Sequence, residues 1–253
     1  MRLAGVLAIL AAIPLTVSPM FAAQRGNRNS RISLRKRLHV NTLITEPGTV
    51  EIDWSSLYSL SSTNFTMPAG VRYTPEGPNI AWGRTEYLAA IDSLTSPAGL
   101  TLAATSVLYD GPKLDVAFAP QATIFLKNES GTRLGAFTIV RYDFGRNSIG
   151  VTASWSAAMH SSSSNPGGTW DAGFGFGHQL SGTCWLEKLT AHVNAEWERS
   201  TGQPPAALGS EGIEYQVTDR LALDLSAQHF AGAGNPPDHQ IAFGLTLSLG
   251  KTQ

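Results

Sequence analysis

One cysteine among 253 residues, Cys184, excludes an internal disulfide and any thiolate metal centre. It stands beside Trp185 and reads as a small apolar packing residue, since Lys188 is the only cation close to it in sequence. The apolar run from Leu3 to Leu15 is shorter than the roughly 20 residues a membrane-spanning helix needs. Beyond residue 40 no stretch places apolar residues at helical spacing over three turns, which argues against a helical domain. Charge is sparse, at 15% of residues and a net of −1. His178, His192, His229 and His239 are scattered without metal-ligand spacing, so no metal or other cofactor is expected. Gly173, Gly175 and Gly177 are not followed by a helix, which removes a phosphate-binding loop and leaves strand approach or interior space as their use.

What is present begins with a leader. Arg2, the apolar run and the small residues up to Ala23 describe a secretory signal, placed at 1–22. A basic arm follows over 23–42, with Arg25, Arg28, Arg31, Arg35, Lys36 and Arg37 and no acidic residue from Gln24 to His39. With Arg2 and those six cations set aside, the net charge of −1 becomes −8. Such a run reads as a solvated arm on the periplasmic side, with anionic lipid or polymer as its natural contact. Export and the acidic remainder exclude a nucleic-acid partner.

From residue 43 to 250 the chain alternates. In the segment Gln240 to Leu249, Ile241, Phe243, Leu245, Leu247 and Leu249 share one face, while Ala242, Gly244, Thr246 and Ser248 share the other. A period of two means an extended strand. Twelve such segments are predicted, at 49–60, 64–74, 80–92, 100–109, 112–127, 132–143, 147–159, 168–177, 185–198, 207–216, 220–229 and 238–249. If both termini are periplasmic, tight turns at Asp110–Pro112, Phe144–Asn147 and Thr218–Asp219 fall on that side. Longer loops at His160–Gly167, Arg199–Pro205 and Phe230–Pro237 fall on the other. Aromatic residues such as Tyr58, Tyr73, Trp82, Tyr87, Tyr142, Trp155, Trp170 and Trp197 sit near strand ends. These features predict an all-β chain, a transmembrane antiparallel β-barrel of about 12 strands of the bacterial outer-membrane type. A β-sandwich has the same alternation with the opposite sense, and only the leader, strand length and turn asymmetry speak against it.

Two stretches, Leu43 to Ile52 and Tyr73 to Gly77 with Trp82 to Glu86, together with the closing Asp238 to Gly250, resemble an outer-membrane family associated with the meta-pathway of phenol degradation. The resemblance implies a barrel and a transporter or channel, with small aromatic compounds as candidate solutes. Many barrels end on an aromatic residue recognised during assembly, whereas this chain ends Gly250-Lys-Thr-Gln253, so either Phe243 or Leu249 takes that role or assembly does not follow that rule here.

Charges are costly on a lipid-facing surface, so the predicted interior holds Glu51, Asp53, Arg72, Arg84, Glu86, Asp92, Asp115, Arg141, Asp143, His192, Glu196, Glu198 and Asp224. Acids outnumber bases there, so a weak cation preference is expected of an open path. A twelve-stranded barrel has limited room, and a plugged, structural or anchoring barrel is the competing expectation. The expected partners are outer-membrane lipid, small solutes and the barrel-assembly machinery. One enzymatic alternative stands beside the non-enzymatic reading. Barrel acyl hydrolases carry His-x-Ser-Asn-x-Gly, and His160 with Ser162 or Ser164 approximates it with imperfect spacing inside a Ser-rich loop.

Overall fold

The computed structural model describes residues 44–76, 84–95, 97, 99–126, 131–160, 167–182, 185–232 and 235–250. Signal segment 1–22, arm 23–42, Trp82, Cys184, Ser162 and Ser164 lie outside the described residues. The strands are β1 (Thr49–Ser59), β2 (Phe65–Thr66), β3 (Ala69–Thr74), β4 (Thr85–Ile91), β5 (Gly99–Asp110), β6 (Leu114–Phe125) and β7 (Thr132–Phe144). They continue with β8 (Asn147–Ala158), β9 (Gly168–Gln179), β10 (Leu189–Ser200), β11 (Ala206–Thr218), β12 (Leu221–Gly232) and β13 (Asn235–Leu249). Consecutive strands pair antiparallel from β3 to β13, and β1 pairs with both β2 and β3. β13 returns to β1 from Val50↔Leu249 to Ser59↔Gln240, so the sheet closes. β2 and β3 together make one wall position, which gives a closed barrel of twelve antiparallel strands.

The burial pattern is inverted relative to a sandwich. Val71, Leu134, Val151, Phe174, Leu225, Ile241 and Phe243 are exposed on the outside. Arg72, Glu86, Arg141, Thr74 and Thr169 are almost completely buried inside. A water-soluble fold cannot be stable with that arrangement, whereas a barrel surrounded by hydrocarbon requires it. Tyr73, Tyr87, Tyr109 and Tyr142 ring the end that carries the termini, and Tyr58, Trp155, Trp170 and Trp197 ring the other. Within those rings Tyr142 stacks on Phe144 at 6.0 Å and Trp155 lies 6.1 Å from Trp170.

Local chemistry explains where strands stop. Gly145, at φ +64°, is the first central residue of the β7–β8 turn, the position where a type II′ hairpin needs a positive φ. At the β11–β12 turn the Thr218 hydroxyl accepts hydrogen bonds from the amides of Arg220 (3.2 Å) and Leu221 (3.1 Å). The predicted segment 64–74 divides into β2 and β3 at Met67–Pro68, because proline has no N–H to donate. There the Met67 amide donates to Ser93 Oγ (3.2 Å), while the Pro68 carbonyl accepts from Ser55 N (2.9 Å). Pro120 stands inside β6 facing outward; the β5–β6 pairing skips Ala104 and Thr105 opposite it without a change of register, and the register shifts further along, between Val107 and Tyr109.

Two expectations need correction. Residues 185–188 are not strand: Leu186–Lys188 is a single 3-10 turn, and β10 begins at Leu189. The expected loop Phe230–Pro237 is instead mostly hairpin, with Gly232 paired to Asn235 and a register shift after Phe230. Proline and glycine there signal a loop, but β12 reaches Gly232 and β13 starts at Asn235, with that irregularity between Phe230 and Gly232.

Candidate functional site

The interior has two characters. Toward the end carrying the termini it is packed. Arg72 on β3 faces β1, 3.1 Å from Asp53 Oδ2 and 3.8 Å from Glu51 Oε2, with the three side chains 2%, 6% and 10% exposed. Thr246 Oγ1 on β13 donates to Asp53 (2.8 Å) and Ser248 Oγ to Glu51 (3.5 Å), so three strands converge on the two carboxylates. Glu86 accepts from the Thr45 amide (2.9 Å) and hydroxyl (3.0 Å). Thr45 Oγ1 also lies 2.6 Å from Thr74 Oγ1. Ile44 and Thr45 are both buried, so the segment entering β1 is tied to the inner wall. Asp115 faces Arg141 across β6–β7, and Arg141 Nε and Nη2 donate to Asp143 Oδ1 at 2.9 and 2.8 Å. On the opposite wall His192 Nε2 sits 2.9 Å from Asp224 Oδ2, and Ser226 Oγ donates to Asp224 Oδ1 (3.3 Å). A Cβ at the inward-facing Gly212 would meet His192 Cε1 at 2.8 Å, so glycine there makes room for the imidazole.

Beside these ionic groups lies an apolar flank. Leu88, Ala90, Ala103, Ala117, Ala119, Phe137 and Ile139, on β4 to β7, point inward and bury one another. Charged and apolar groups therefore occupy different sectors of the same interior. This sector was not foreseen: β6 and β7 carry apolar residues on both faces, so alternation alone cannot say which set turns inward.

Above Phe137 and Ile139, toward the end remote from the termini, the interior opens into a cavity of about 170 Å³. Gln121, Arg133, Ser154, Asp171, Asn194 and Glu196 line it, with Phe125 beside them. Arg133 Nη2 donates to Thr169 Oγ1 (2.7 Å) and Ser156 Oγ (3.0 Å), Ser154 Oγ to Asp171 (2.6 Å), and Asn194 Nδ2 to Ser210 Oγ (3.1 Å). Glycine again supplies space, since a Cβ at Gly173 would meet Thr152 Oγ1 at 2.5 Å. Glu198, one inward position beyond Glu196, accepts from Ser200 Oγ (3.2 Å).

The interior set expected from sequence is thus split by place. Glu51, Asp53, Arg72, Glu86, Asp115, Arg141, Asp143, His192 and Asp224 belong to the packed half, and Glu196 to the cavity. Arg84 lies just before β4, half exposed, and pairs with Asp110 (2.6 Å) at the barrel end rather than inside. Arg133 and Asp171 were missed as cavity groups, although the same period of two that places Arg141 and Asp143 inward leads back to Arg133. His160 is exposed beyond β8; its expected serine partners lie outside the described residues.

No protein-family model matches the chain, and no curated protein matches it. Solved structures do. The NanC porin superposes with a TM-score of 0.59 at 10% identity, covering 78% of this chain and all of that one. An outer-membrane channel from Pseudomonas putida F1 follows at 0.58 and 10%, covering 81% and 97%. The KdgM porin gives 0.55 and 8%, covering 79% and 99%. This chain has the fold of the outer-membrane porins. At such identities the likeness concerns the fold alone.

Proposed function

We propose that the protein is an outer-membrane channel through which small solutes pass passively, with a lean toward cations. The observation that carries this is the inverted barrel with an acid-rich interior. Asp171, Glu196 and Glu198 flank the cavity half, where Arg133 is the one inward base among the described residues. Focused negative potential in a low-dielectric wall raises the local concentration of cations. Porin and channel neighbours with the same fold support this reading over an acyl hydrolase, and we read the chain as non-enzymatic. In this reading residues 1–22 are the export signal, 23–42 a periplasmic arm and 43–250 the barrel, with lipid and the assembly machinery as partners.

The apolar flank next to the cavity supports a finer reading, that small aromatic compounds are among the solutes, in keeping with the meta-pathway resemblance. A flat apolar solute can slide along Phe125, Phe137 and Ile139 while its polar edge meets Arg133, Ser154 or Asn194. Liposome swelling tests it: a phenol-sized solute should enter faster than a sugar of equal or smaller size. Equal rates, or faster sugar entry, would remove the aromatic reading while leaving the channel intact.

A further inference from the structure

On the outer surface, apart from the interior just described, three polar side chains form a chain across β11, β12 and β13. His229 and His239 are directly opposite one another in the β12–β13 ladder, on the outward face. Their Nδ1 atoms approach to 2.8 Å, with ring centroids 5.0 Å apart and planes at 70°. The other nitrogen of His229, Nε2, lies 2.9 Å from Glu211 Oε1 on β11. His239 is exposed, and His229 and Glu211 keep 22% and 31% of their side-chain surface. Their outward neighbours along the same strands, Leu225 and Ile241, are exposed apolar residues, so a carboxylate and two imidazoles are out of character with this surface.

We infer that His229 and His239 form a two-nitrogen site for a divalent transition-metal ion, with Glu211 as the carboxylate that orients His229. The geometry favours it. Glu211 Oε1 lies 2.9 Å from His229 Nε2, and the His229 tautomer that donates to it presents a bare Nδ1. Its lone pair faces Nδ1 of His239, 2.8 Å away. A metal ion held there forms two N–metal bonds; the Nδ1 proton of His239 passes through solvent to Nε2 of the same ring, so no net proton is released, and water fills the remaining positions. Carboxylate, histidine and metal in line is the usual support of an imidazole ligand, because it fixes the tautomer and raises basicity.

Two imidazole nitrogens with water completing the shell suit Cu²⁺ or Ni²⁺, which stand highest among the divalent ions in affinity for nitrogen ligands. Sequence spacing could not have revealed the site, since it depends on the register of the last hairpin and on a third strand.

The test uses the full, untagged, folded chain in detergent micelles, titrated with Cu²⁺ or Ni²⁺ alone. The expected result is one ion per chain that is absent from the His229→Ala/His239→Ala double variant. Copper spin-resonance hyperfine structure should report two nitrogen ligands for that ion. Glu211→Gln should weaken binding by about 10–100-fold, and His178→Ala should leave it unchanged. Heat-modifiable gel migration confirms that each variant is folded. Binding that survives in the double variant, an ion with fewer than two nitrogens, or no difference between wild type and the double variant would each overturn the proposal.

Discussion

Replacing Arg72 with methionine keeps most of the side chain's aliphatic length but removes a cation placed 3.1 Å from Asp53 and 3.8 Å from Glu51. With Arg72 2% exposed and the two carboxylates 6% and 10%, water cannot take over its role without rearrangement. Removing one partner of a buried ion pair costs about 3–5 kcal/mol, because the remaining charge is left uncompensated. Hydrogen bonds from Thr246 and Ser248 persist and offset part of this, which places the expected loss near the lower bound, at about 3 kcal/mol. That is roughly a hundredfold in the folding equilibrium. Urea unfolding in lipid vesicles, followed by tryptophan fluorescence and gel migration, measures it. Adding Glu51→Gln and Asp53→Asn to Arg72→Met should restore most of the stability, since neutral amides need no counter-charge. The reasoning fails if Arg72→Met alone changes stability by less than about 1 kcal/mol, or if the triple variant is as unstable as the single one.

Other positions test other parts of the account. Val151 faces outward near mid-strand, so Val151→Arg should cost about 2–4 kcal/mol in the same unfolding assay, and a neutral result would contradict the assigned lipid face. Gly212→Val forces a side chain against His192, Ser226 and the Leu225 carbonyl, and should cost about 1–3 kcal/mol through overpacking. Glu196→Gln with Asp171→Asn should move the reversal potential of the channel toward zero without changing barrel stability by more than about 1 kcal/mol. An unchanged reversal potential would place the selective step elsewhere.

The barrel was legible because each wall strand repeats one physical rule. The outward set of β13, from Ile241 to Leu249, and that of β8, Val151 to Trp155, follow directly from a period of two. Sandwich and barrel share that period, so the sense of the faces became clear only from the buried Arg72, Glu86 and Arg141. The interior was less legible. Phe137 and Ile139 sit in a strand whose outward neighbours Leu134 and Val140 are equally apolar, so composition hides the inward sector. The anchoring of Thr45 on Glu86 joins residues 41 apart, and the His229–Glu211 contact joins residues 18 apart. Both depend on strand register, which sequence patterning constrains only to odd or even.

The most direct measurement is single-channel current through the refolded protein in a planar bilayer under a salt gradient. Discrete conductance steps with a cation-leaning reversal potential are the predicted result. A silent membrane holding correctly inserted, heat-modifiable protein, or an anion-leaning reversal potential, would contradict the account.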